Sequence, residues 1–110
     1  MKKLITAMFI FVSCFATKSF SDGHAIKMGI ILGFTGPIES LTPAMRDSAK
    51  LAFEEASKSG SLLGGKTITV VEGDSTCVDS AAAQSAAEKL VSEGVAAIMG
   101  ADCSGVTGAI

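Results

Sequence analysis

The run Val95-Ala96-Ala97-Ile98-Met99 contains no polar side chain. A strand with one wet face alternates apolar with polar, so a continuously apolar run is the pattern of a parallel strand covered on both faces. The run closes an alternating series. Ala25–Leu32, rich in isoleucine and bounded by Gly33, reads as the first strand, and Pro43 opens a helix that Gly60 ends after about Ser59. A second strand over Thr67–Glu72 follows a Gly-Gly turn. Asp79 then caps a helix over Ser80–Glu93, and Gly94 closes it. This order predicts an α/β fold with a doubly wound parallel sheet. On the first helix, Met45, Ala49, Ala52 and Ala56 are expected to face the sheet, with Arg46, Asp47, Lys50, Glu54 and Lys58 outside; on the second, Ala83, Ala87 and Leu90 face inward. Right-handed crossovers put strand two on one side of strand one and strand three on the other. Strand three is then an apolar edge in need of a neighbour, and Ser104 begins another helix just before the last residue, Ile110. The sequence is therefore expected to be the amino-terminal piece of a longer protein.

The amino terminus sets the compartment. Met1-Lys2-Lys3 is basic, Leu4 to Phe15 is largely apolar, and Ser19-Phe20-Ser21 places small residues where a signal peptidase reads. Residues 1–21 are read as a cleaved secretory signal, since the apolar run is well short of the roughly 20 residues that a spanning helix needs. Val12-Ser13-Cys14 only faintly matches a lipidation site, and Cys14 is expected to leave with the signal. Export then leaves Cys77 and Cys103, an even count in an oxidising compartment. Each follows a strand. If those strands were parallel neighbours, both cysteines would lie at the carboxyl edge of the sheet, where open α/β folds hold ligands. A disulfide there would brace a cleft and stabilise the fold by about 3.5 kcal/mol; the alternative is two separate buried thiols.

Other functions are disfavoured by the residues. Net charge is only −2, which favours neither nucleic acid nor anionic membrane. Gly60-Ser61-Leu62-Leu63-Gly64-Gly65-Lys66-Thr67 fits the phosphate-loop pattern by letter, but a helix enters and a strand leaves, the reverse of what phosphate binding requires. No spacing of histidine, cysteine and carboxylate suggests a metal, the lone His24 carries no role, and no cofactor is expected. Ser104 has no histidine or lysine partner nearby, so an enzyme is not expected.

Several segments resemble the periplasmic leucine/isoleucine/valine-binding proteins, the receptor subunits of branched-chain amino acid ABC transporters. They are Ile26-Lys27-Met28-Gly29-Ile30-Ile31 followed by Thr35-Gly36-Pro37, then Ala52-Phe53-Glu54-Glu55-Ala56, Leu63-Gly64-Gly65-Lys66, Asp74 to Cys77, and Gly100 to Ser104. The resemblance runs in order through residues 25–110. It implies a two-lobed, hinge-closing binding protein of type I, of which residues 22–110 supply the first part of lobe one, incomplete at its carboxyl end. The family's paired cysteines correspond to Cys77 and Cys103.

The resemblance also implies a site. Ser104 takes the position of the serine that helps hold the ligand carboxylate, and a hydroxyl beside free N–H groups at a helix start suits an anion. Thr107, one turn on, is a weaker candidate, its alternative being packing within the helix. The Thr35–Leu41 loop is expected to wall the cleft. Leu41 stands where the family places a tyrosine over the ligand, and Asp102 stands where an apolar residue is usual. Asp102 either faces the cleft, where it would oppose a carboxylate or attract an ammonium group, or faces solvent at the end of a loop. The expected ligand is an amino acid, an amide or a small organic acid, and the expected partners are the ABC transporter membrane subunits, with the complete protein a monomer. The rival reading is the ligand-binding domain of a sensor or receptor of the same fold.

Overall fold

The computed structural model describes residues 25–110. The signal expected over residues 1–21, with Cys14, and the lone His24 lie outside the described residues. The elements are β1 (Ala25–Leu32), α1 (Thr42–Lys58), a short 3-10 turn (Leu62–Gly64), β2 (Thr67–Asp74), α2 (Ser80–Ser92), β3 (Ala97–Met99) and α3 (Ser104–Thr107). Local chemistry accounts for the boundaries. Pro43 sits in the first turn of α1, where its missing N–H costs nothing. The Asp79 carboxylate accepts hydrogen bonds from the N–H groups of Ala81 and Ala82 at 2.9 and 3.0 Å, capping α2 as its sequence implies. β1 has the expected limits. β2 runs on to Asp74, because Ile31 and Leu32 of β1 still pair with Gly73 and Asp74. β3 is shorter than the apolar run, its ladder with β1 covering Met28↔Ala97 to Ile30↔Met99.

All pairings are parallel and the strand order is β2-β1-β3. The two strands that precede the cysteines are therefore not neighbours, and β1 lies between them. The winding reverses between β1 and β3, which is the switch point where sheets of this kind open a crevice at their carboxyl ends. Helices cover both faces. Lys50 and Arg46 of α1 reach Glu72 on β2, whereas the adjacent Gly73, which faces the other way, lies under α2: a Cβ built there would stand 3.3 Å from Leu90 and 3.5 Å from Ala86. Gly29 meets the same Leu90 side chain at 3.2 Å. The two glycines thus make the space that Leu90 fills.

The core is small and central: Ile30, Ile31 and Leu32 of β1, Ala83 and Leu90 of α2, and Val106 of α3 are all buried. Ala83 and Leu90 are inward as expected. The face assigned to α1 needs correction. Met45 and Ala52 are exposed, while Thr42, Arg46, Ala49, Phe53 and Ala56 make up the covered or half-covered side. The heads of Arg46 and Lys50 pair with Glu72 on β2, which turns these long cations toward the sheet, a use that a hydrophobic pattern does not register. The glycine-rich segment Gly60–Lys66 is a helix-to-strand turn closed by the N–H groups of Gly65 and Lys66 on the Leu62 carbonyl.

Candidate functional site

Three strand exits converge at the carboxyl edge of the sheet: Gly33–Leu41 after β1, Ser75–Asp79 after β2, and Gly100–Cys103 after β3. Cys77 and Cys103 form a disulfide with a Cα–Cα distance of 5.2 Å. It crosses over the end of β1, joining the exits of the two outer strands. Gly33 lies directly beneath it, because a Cβ at that position would approach Cys77 Cβ and Ile38 Cγ1 to 3.2 Å each. The space that a side chain would need is taken by the brace.

Two carboxylates fix the same exits. Asp74 Oδ1 accepts from the N–H groups of Phe34 (3.0 Å), Thr35 (3.3 Å) and Thr76 (2.8 Å), and Asp74 Oδ2 accepts from the Thr35 hydroxyl (2.7 Å). Burial pushes the Asp74 carboxyl upward, but the bonds from the Thr35 hydroxyl and from the Thr76, Thr35 and Phe34 amides outweigh it and hold the group below its ordinary value of 3.8. Asp102 Oδ2 accepts from Gly33 N–H at 2.9 Å, and Asp102 Oδ1 receives the hydroxyl of the fully buried Ser75 at 3.4 Å. Thr42, also fully buried, donates its hydroxyl to the Gly33 carbonyl at 3.1 Å. Three successive N–H groups leaving β1 are each received by a carboxylate, at a place where no further strand can pair with them. Thr76 and Cys77 both take left-handed backbone conformations, φ 57° and 71°. Non-glycine residues hold such angles where surrounding bonds impose them, and here the Asp74 bond to Thr76 and the disulfide do so.

The site residues expected from the sequence are only partly brought together. Ser104 is exposed at the first position of α3, with Cys103 at the cap position. Among the described residues its hydroxyl makes no hydrogen bond, and the first-turn N–H groups of a helix have no intrahelical acceptor. Thr107 spends its hydroxyl proton on the carbonyls of Cys103 (2.9 Å) and Ala101 (3.2 Å). Leu41 is 62% exposed at the start of α1, so it belongs to the rim of the β1 loop. Asp102 is half-buried, and its carboxylate receives Gly33 N–H and the Ser75 hydroxyl. The sequence reading missed Asp74 as an organiser. Its bond to Thr76 is a local Asx turn of the kind Asp-Ser-Thr favours, and that much was legible; its bonds to Phe34 and Thr35 were not. A separate groove of about 390 Å³ lies along α2 and is lined by residues such as Ala87, Val91 and Ile110, with nothing from the three strand exits.

The profile of the periplasmic binding protein family matches residues 25–110. A Leu/Ile/Val-binding protein of Rhizobium johnstonii, BraC3, is 30% identical over 104 residues, covering 94% of this chain and 27% of that protein. The fold is similar to LivJ of Streptococcus pneumoniae, a branched-chain amino acid transporter substrate-binding protein solved in complex with isoleucine. The TM-score is 0.68 with 32% identity, over 77% of this chain and 24% of LivJ. The chain thus spans about a quarter of the length of these relatives, which are binding proteins of two lineages. With the parallel sheet, its switch point and the match through all the described residues, the chain belongs to the periplasmic binding protein family.

Proposed function

We propose that this chain supplies the ligand-facing edge of an exported solute-binding protein that captures an amino acid for an ABC importer. The observation that carries the reading is Ser104, an unengaged hydroxyl held beside the Cys77–Cys103 brace at the switch point of the sheet. Ser104 holds the ligand carboxylate, with the first-turn amides of α3 as further donors. The relatives that bind leucine, isoleucine or valine point to the same ligand class. Charge narrows it. The three strand exits, with Asp74 at the last position of β2, carry Glu39, Asp74, Asp79 and Asp102 and no lysine, arginine or histidine. A zwitterion with one carboxylate and one ammonium suits such an edge better than an organic acid, whose charge would go uncompensated. The Leu41 rim supplies apolar contact without a ring or hydroxyl, and Thr107 acts by keeping the first turn of α3 in place. The protein works by binding rather than by catalysis, as a monomer, after a signal over residues 1–21 has been removed.

The test is calorimetry on the complete protein that carries this lobe, with leucine, isoleucine and valine beside an amide and a small organic acid. Binding of a neutral aliphatic amino acid is expected, and Ser104→Ala is expected to weaken it by about 10- to 150-fold, corresponding to the loss of a charge-assisted hydrogen bond. The melting temperature of the empty form is expected to stay nearly constant. A change under about twofold removes Ser104 from the site. Preference for the organic acid overturns the charge argument, and an unprocessed amino terminus in periplasmic protein overturns the signal.

A further inference from the structure

The exit of β3 is tied to the rest of the sheet by two consecutive residues that reach different partners. Cys103 is bonded to Cys77 on the far side of β1. Asp102 is bonded to Gly33 N–H at the end of β1 and to the hydroxyl of buried Ser75. A single crosslink leaves a segment free to rotate about it, and a second anchor one residue away removes that freedom. The residue that follows is Ser104. The partners of Asp102 are themselves fixed: the Gly33 carbonyl accepts the hydroxyl of buried Thr42, and Ser75 donates its N–H to the Leu32 carbonyl at 2.9 Å. The carboxylate therefore rests on backbone and side-chain groups that have little room to move.

We infer that Asp102 is a positioning residue for ligand binding: without touching the ligand, its carboxylate sets the place and orientation of Ser104 against the β1 loop. The inference rests on the reading of Ser104 as the carboxylate holder. It makes affinity depend on the length of the residue-102 side chain and on its acceptor oxygens. Charge alone does not suffice, because the oxygens must reach Gly33 N–H and Ser75 Oγ together from the backbone position that also feeds the disulfide.

Asp102→Glu separates this role from a purely structural one, since it keeps the charge and both oxygens but adds a methylene that displaces the β3 exit. In the complete protein, with isoleucine as the probe and at a temperature well below the melting point, Asp102→Glu is expected to bind about tenfold more weakly. Asp102→Asn keeps an oxygen for Gly33 N–H and is expected to lose only about threefold. In the unliganded protein, Asp102→Glu is expected to shift the amide signals of Gly33 and of Ser104 to Val106, read by nuclear magnetic resonance. If those amides do not move, or if Asp102→Glu binds isoleucine as tightly as the natural protein does, the inference is overturned. Where the natural protein binds no branched-chain amino acid, the functional reading fails, and the amide spectra of the unliganded Asp102→Glu and Asp102→Asn proteins still decide the positioning role.

Discussion

The two ends of the sheet are closed by different means. At the carboxyl edge, loop positions are specified by side chains: a disulfide, two carboxylates that together receive four N–H groups and two hydroxyls, and the buried Thr42 hydroxyl on Gly33. At the amino edge, the connections are ordinary turns. Gly65 and Lys66 close onto Leu62 and Gly94 closes onto Val91 through backbone bonds, and few side chains take part: the Ser57 hydroxyl receives Ile68 N–H at 2.9 Å, and Lys27 Nζ reaches the Glu93 carbonyl at 3.0 Å. A turn that only reverses the chain is served well by glycine. A loop that has to stand at a given distance from two others needs bonds that cross between them. The difference fits the proposal of a ligand site at the carboxyl edge, and it predicts that equivalent perturbations will have unequal effects at the two ends.

Removing the brace should produce the largest effect. Cys77→Ser combined with Cys103→Ser frees a loop of sequence separation 26 and is expected to cost about 3.5 kcal/mol in denaturant unfolding of the complete protein. An unchanged midpoint would show that the carboxylates alone hold the edge. Next come two matched glycine substitutions. Gly36 has φ 95°, and a Cβ there would overlap the Thr76 carbonyl oxygen, whereas Gly60 has φ 67° with open space around it. Gly36→Ala is expected to cost about 2–3 kcal/mol and Gly60→Ala about 1 kcal/mol, the conformational term alone. Equal losses in thermal melts would break the comparison.

The third prediction uses pH. The carboxyl group of Asp74 lies below its ordinary value in the folded protein, so its ionised form favours the folded state, and that stability is present above the unfolded value and lost as pH falls through the lowered folded value. Asp74→Ala is expected to cost about 2 kcal/mol at neutral pH, with the gap to the natural protein closing as acid protonates Asp74 below about pH 3.8. A gap that stays constant into acid would mean that Asp74 acts by shape alone. The smallest effect belongs to the exposed Glu54–Lys58 pair of α1, one turn apart at 3.0 Å: Lys58→Ala is expected to change stability by no more than about 0.5 kcal/mol.

How far the sequence foretold this structure depends on the range of the interaction. β1 was legible to the residue, because an isoleucine-rich run bounded by Gly33 has one simple reading. The cap at Asp79 was legible because its partners are two and three residues away. Alanine blurred the face of α1: with Ala44, Ala49, Ala52 and Ala56 spread around the helix, small side chains give a weak direction, and the side that meets the sheet carries Arg46 and Lys50, paired with Glu72. The work of Asp74 and Asp102 was not legible, since their acceptor oxygens meet N–H groups 40 and 69 residues away. Such bonds exist only once the sheet is assembled.

The strand order has a consequence for the sequence of events in synthesis. β1 is made first yet occupies the middle, and neither neighbour exists when it emerges: pairing on one flank waits for Thr67 and on the other for Ala97. Ile30, Ile31 and Leu32, the most buried run among the described residues, are therefore wet for the whole interval, and the loop that must close to cover them lengthens the search. The first of the three strands to be made gains its second neighbour only when the third has been made.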